Sequence, residues 1–201
     1  MKQRHLVVVS AGLSQPSSTR LLADQLSAAA LTAAADRDVE LTVRVVELRD
    51  LAHDIANHLL TGFPPEALKD ALDAVAEADA LIAVSPIFTA SYSGLFKSFF
   101  DVLDKDALTD KPVLIAATAG TARHSLALEH ALRPMFAYLH AVVVPTAVFA
   151  ASDDWGADSA DGTLRSRITR AAGELARELE AREPVTVVDP FALTVDFKDL
   201  L

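Results

Sequence analysis

Leu6-Val7-Val8-Val9-Ser10-Ala11-Gly12-Leu13-Ser14-Gln15-Pro16-Ser17-Ser18-Thr19 carries three signals in order. Leu6 to Val9 is short, apolar and rich in β-branched residues, the pattern of a strand buried on both faces in a parallel sheet. Ser10 to Thr19 is polar and small. From Leu21 a helical pattern runs into the alanine-rich segment near Ala35. The same strand, small-residue loop and helix recur further along. Ala80 to Val84 is a buried strand, Ser85 to Ser93 a loop, and Gly94 to Leu103 a helix. Pro112 to Ala117 is a strand, Thr118 to Thr121 a loop, and a long helix runs from about Arg123 to His140 with Pro134 inside it.

The rest of the chain fits the same rhythm. Leu41 to Leu48 reads as the second strand, and Ala141 to Phe149, which contains Pro145, as the fifth. Asp50 to Gly62 reads as a short helix and loop. Pro64-Pro65-Glu66 opens a helix ending near Ala78, where proline is well placed in a first turn. After a polar loop from Asp153 to Gly162, Thr163 to Arg182 forms the last helix. Its charges pair at i,i+4, with Glu174 and Glu178 set against Arg170 and Arg182. Strict alternation of strand and helix implies an α/β fold. It predicts a flavodoxin-like, doubly wound, five-stranded parallel sheet with helices on both faces. Residues 1–201 read as a single domain with an irregular C-terminal tail from about residue 184.

Composition narrows the chemistry. Cysteine is absent, which excludes disulfides, thiolate nucleophiles and cysteine-ligated metal centres. The formal charge is −10, so nucleic acid and anionic membrane are poor partners. The apolar run near the N-terminus is too short for a membrane span or a signal-peptide core, and a cytoplasmic location is expected. The six histidines show no His-Glu-x-x-His pattern, so no metal ligand is expected.

In a sheet of this kind ligands bind beyond the C-terminal strand ends. Three loops lie there. Ser10 to Thr19 leads into a helix N-terminus, where free N–H groups and the helix dipole favour an anion. Its four serines and one threonine add donors without positive charge, which suits a monophosphate. It lacks the glycines and lysine of the familiar nucleotide loops, and a simple Ser/Thr-capped helix start reads the same residues as structure. In the second loop, Pro86, Ile87, Phe88, Thr89 and Tyr92 offer backbone edges and apolar faces to a planar heterocycle. Packing against a neighbouring helix or subunit is the competing reading of the aromatics. In the third, Thr118, Ala119, Gly120 and Thr121 are small enough for close backbone approach, or form a plain capped turn. Trp155 reads as lying away from these loops.

Ser85-Pro86-Ile87-Phe88-Thr89-Ala90-Ser91-Tyr92-Ser93-Gly94-Leu95-Phe96-Lys97, Ala117-Thr118-Ala119-Gly120-Thr121 and Ala127-Leu128-Glu129-His130-Ala131-Leu132-Arg133-Pro134 resemble the NAD(P)H-dependent FMN reductases of the flavodoxin-like superfamily. The likeness runs from Leu6 to about Asp153 and is strongest toward reductase components of two-component flavin monooxygenases. The resemblance implies FMN as cofactor and NADPH or NADH as co-substrate. Hydride would pass to the flavin N5, with no side chain acting as catalytic residue. Ser10 to Thr19 would hold the phosphate, with Ser10, Ser14, Pro16, Ser17, Ser18 and Thr19 as contacts. Pro86, Ile87, Phe88 and Thr89 would line the ring, with Phe88 and Tyr92 bordering its open face. Thr118, Ala119, Gly120 and Thr121 would meet its pyrimidine edge. A homodimer or homotetramer is implied, with Leu95, Phe96, Phe99, Phe100 and Val102 at a subunit contact, and a flavin-dependent monooxygenase as consumer of the product.

Two positions depart from the family pattern. Leu13 stands where many members have arginine, which implies either a weaker hold on the phosphate or that Arg20 or another cation substitutes. His130 stands where some members have tyrosine, at a position tied to a helix distortion and flavin exchange. Quinone or azo-dye reduction, and electron carriage as in a flavodoxin, use the same fold and cofactor.

Overall fold

The computed structural model describes residues 2–155 and 163–185. The first strand, β1 (Lys2–Ser10), pairs in parallel with β2 (Val39–Glu47) on one side and β3 (Ala80–Phe88) on the other. Next to β3 lies β5 (Pro112–Ala119), again parallel. The far edge is shared by two short strands, β6 (Val142–Val143) and β7 (Val148–Ala151), both parallel to β5. The order β2-β1-β3-β5-β6 is that of a doubly wound sheet whose chain direction reverses beside β1.

Period-two alternation sorts the strand residues onto the two faces. Leu6 and Val8 point to one side, where α1 (Ser18–Ala35) lays Leu22 and Leu26 and α6 (Thr163–Ala181) lays Leu164, Ile168 and Leu175. Val7 and Val9 point to the other. There they meet Ile55 of α2 (Ala52–Thr61), Leu68 and Val75 of α3 (Glu66–Glu77), Phe96 and Phe99 of α4 (Gly94–Asp101), and Phe136 of α5 (Arg133–Tyr138).

Several expectations from sequence are corrected. The fifth strand, expected to run from Ala141 to Phe149, is split. Val144 donates its N–H to Val113 O at 2.9 Å, but Pro145 has no N–H to continue the ladder. The chain leaves the sheet there and rejoins it at Val148. Glu174, expected to pair along its own helix, instead takes up the Thr146 N–H at 2.6 Å and the Thr146 hydroxyl at 2.8 Å. Arg182 and Glu178 do pair.

The long helix expected from Arg123 to His140 is three pieces: a 3-10 turn (Ala122–His124), a π-helical turn (Leu128–Leu132) and α5. A continuous α-helix would need a Pro134 N–H to donate to His130 O, which proline cannot supply. The wider π turn precedes it, with His130 inside and exposed. The second loop is also more ordered than expected. β3 continues through Ser85 to Phe88 and turns back into β4 (Ser91–Tyr92), with Thr89 and Ala90 at positive φ as a two-residue hairpin turn requires. Finally, Phe96, Phe99 and Phe100 of α4 are buried in the chain's own core, stacked with Tyr92 and Phe136. They are not a subunit contact. Most of the polar loop from Asp153 to Gly162, and the tail beyond residue 185, lie outside the described residues.

Candidate active site

The loops that follow β1, β3 and β5 come together at one edge of the sheet. They enclose a cavity of about 430 Å³ lined by Leu13, Ser14, Ser17, Ser18, Thr19, Pro86, Ile87, Phe88, Thr118, Ala119, Gly120, Ser152 and Trp155. Ser10, Pro16, Thr89, Tyr92 and Thr121 stand around it without lining it. Ser10 is fully buried at the end of β1 and its Oγ has no hydrogen-bond partner among the described residues. Thr89 sits in the hairpin turn. Tyr92 packs on Phe96, ring centres 5.9 Å apart, which turns it toward the core.

The first loop is shaped by local bonds. Ser17 caps α1, its Oγ accepting the Arg20 N–H at 3.2 Å, while Ser14 Oγ donates to Pro16 O at 3.0 Å. Gly12 makes the cap possible: a Cβ there would fall 2.1 Å from Ser17 Oγ. The remaining donors of the first turn, the N–H groups of Ser18 and Thr19 and the Ser18 hydroxyl, face the helix N-terminus where an anion is favoured. Thr19 Oγ1 also meets Thr118 Oγ1 at 2.8 Å, both buried. This bond ties the first loop to the third. Ser85 Oγ accepts the Ser93 N–H at 3.0 Å, and Ser93 in turn caps α4, which fixes the hairpin carrying Phe88.

No lysine or arginine lines the cavity among the described residues. Arg20, the cation expected to compensate for Leu13, is otherwise engaged. It bonds Asp24 at 2.8 Å and also Glu47, and the Asp24 bond leads the effects that raise its pKa. An anion in this cavity would meet only neutral donors and the helix terminus. Pro86, Ile87, Phe88, Leu13 and Trp155 supply the apolar part of the lining. A phosphate-bearing planar heterocycle suits both features.

Trp155 corrects the sequence reading that set it apart from the ring loops. It follows β7, whose C-terminal end lies at the same sheet edge, so the loop after the fifth strand position joins the other three. Among the described residues no group of His, Asp and Glu is arranged to hold a metal.

A family model described as NADPH-dependent FMN reductase matches residues 4–156. The chain belongs to this family. Within it, a Pseudomonas aeruginosa protein named FMN reductase (NADPH) is 40% identical over 150 residues, covering 75% of this chain and 78% of its own. A Pseudomonas putida NADH-dependent FMN reductase is 36% identical over 174 residues, covering 87% and 89%. Among solved structures, an oxidoreductase from Corynebacterium diphtheriae superposes with a TM-score of 0.87 at 48% identity, covering 91% of this chain and all of that one. An apo NADH:FMN oxidoreductase superposes at 0.76 with 32% identity, covering 89% and 91%. The fold of this FMN reductase family and the cavity described above occupy the same matched region.

Proposed function

We propose that the chain catalyses NAD(P)H + FMN + H⁺ → NAD(P)⁺ + FMNH₂. The observation that carries this reading is the convergence of three loops on one cavity that has both neutral donors for a dianion and an apolar lining. The N–H groups of Ser18 and Thr19 and the hydroxyls of Ser17 and Ser18 hold the phosphate, with Ser10, Ser14 and Pro16 shaping the loop beneath it. Pro86, Ile87 and Phe88 lie along one side of the ring and Thr89 and Tyr92 support them. Thr118, Ala119, Gly120 and Thr121 meet the pyrimidine edge, and Trp155 adds to the apolar lining. Bound flavin supplies the two-electron acceptor. The protein positions it, keeps one face open to the nicotinamide and excludes water beneath it.

Riboflavin tests the phosphate assignment. It lacks the dianion, so its dissociation constant, read by quenching of flavin fluorescence, should exceed that of FMN by roughly ten-fold or more, as loss of charge-assisted hydrogen bonds requires. Equal affinities would remove the phosphate site from the first loop.

The chain also assembles with itself and works in the cytoplasm, where reduced nicotinamide nucleotides are available. Leu60, Phe63, Leu126 and Tyr138 are large, apolar and more than 60% exposed, which supports a homodimer or homotetramer, testable by light scattering. No helix among the described residues is long and apolar enough to cross a membrane. A flavin-dependent monooxygenase is the natural consumer of the reduced flavin.

A further inference from the structure

A reduced nicotinamide nucleotide is itself an anion, and this chain meets it with a formal charge of −10 and no cation on the cavity wall. Most arginines are committed elsewhere. Arg4 bonds the carbonyls of Leu179 and Arg182, Arg20 the carboxylates of Asp24 and Glu47, Arg133 that of Glu129, and Arg167 that of Asp154. Among the described residues Arg123, like Arg170 and Arg177 of α6, is uncommitted, and it is the one of the three that follows a cavity-lining loop. It is exposed, and its guanidinium has no ion pair or hydrogen bond among the described residues.

Its position is fixed by the backbone. The 3-10 turn Ala122–His124 follows the third loop directly, and Thr121 caps it by accepting the Arg123 N–H. Gly120, three residues earlier, lines the cavity. The turn packs against β7, whose end leads into Ser152 and Trp155. Arg123 is therefore tethered beside the cavity, three residues past the lining residue Gly120, without lining it.

We infer that Arg123 is the residue that selects NADPH, by receiving the 2′-phosphate of its adenosine ribose. This rests on the nicotinamide-dependent reading above. A guanidinium fork matches a phosphate in a bidentate way. The 2′-hydroxyl of NADH offers no comparable charge. The chain then prefers NADPH, and Arg123 acts on the phosphate rather than on the reacting ring.

The test compares kcat/KM for NADPH and NADH, with saturating FMN, in the wild type, Arg123→Gln and Arg123→Lys. The NADPH/NADH ratio should fall at least roughly ten-fold in Arg123→Gln, through KM for NADPH, and partly recover in Arg123→Lys. An unchanged ratio, a ratio lowered through kcat alone, or a wild type that prefers NADH would overturn the inference. Calorimetry with 2′,5′-ADP and 5′-AMP gives a readout without turnover. The wild type should bind 2′,5′-ADP more tightly and Arg123→Gln should lose that advantage; no advantage in the wild type contradicts the role. If neither nucleotide is oxidised, the proposed reductase function fails, and the calorimetric comparison still decides Arg123.

Discussion

A methyl group added at Gly12 would lie 2.1 Å from Ser17 Oγ and 3.2 Å from the Thr19 Cβ. Ser17 would have to leave its capping position, and the N-terminal turn of α1 would lose the geometry that serves the phosphate. Gly12→Ala should raise the FMN dissociation constant about five-fold or more, the equivalent of one cap bond worth ~1 kcal/mol. Fluorescence titration checks this, and unchanged affinity would show that the cap does not shape the site. Lys111 offers a second test, at the opposite sheet edge. Its buried Nζ donates to Val75 O at 2.6 Å and Ala76 O at 2.7 Å, at the C-terminal end of α3, where a cation or N–H donor is favoured. Burial lowers its pKa to about 8, against the opposing pull of Asp79. Between that value and the ordinary 10.5, the unfolded chain holds a proton that the folded chain has released. Folding stability from this group therefore rises with pH across that window. Urea unfolding at about pH 7.5 and about pH 10 should show the wild type gaining ~1–3 kcal/mol relative to Lys111→Met. A difference that stays constant would contradict the lowered pKa.

At the scale of elements, the hairpin that carries Phe88 is anchored by aromatic packing beneath it. Phe96 is fully buried and its ring centre lies 4.8 Å from that of Phe100 and 6.2 Å from that of Phe136. Phe96→Ala should cost about 3–5 kcal/mol, seen as a lower Tm. A loss below ~1 kcal/mol would mean the cluster relaxes around the gap. The strands beside β1 were legible because continuous apolar runs such as Leu6 to Val9 have one good home, the middle of a parallel sheet. So were the three loops, whose small and hydroxylic residues stand out between such runs. What was hidden depended on single backbone groups. The Pro145 break, the π turn before Pro134 and the Thr89-Ala90 hairpin all follow from missing donors or positive φ, which periodicity does not register. The α4 phenylalanines were misread because an apolar helix face looks the same whether it meets the core or a partner. Trp155 was missed for a topological reason: its place at the cavity follows only once β7 is seen to end at the same edge as β1, β3 and β5. Gly12 could have been found, since a glycine between a buried strand and a serine cap often marks close approach.

Across the whole molecule, the charge of −10 and a cavity wall without cations mean that anionic FMN approaches against a repulsive field. Salt screens that field. Raising ionic strength from roughly 20 mM to roughly 150 mM, where the Debye length shortens to about 8 Å, should lower KM for FMN in steady-state assays. A rise in KM would reveal a cationic phosphate site. The most direct measurement is of the reaction itself: the purified chain, without oxygen, mixed with FMN and a limiting amount of NADPH or NADH, following nicotinamide and flavin absorbance together. The account predicts nicotinamide oxidation only when FMN is present, with one FMN reduced per nucleotide consumed. Folded protein that binds FMN without oxidising either nucleotide, or that oxidises them only with quinones, would contradict it.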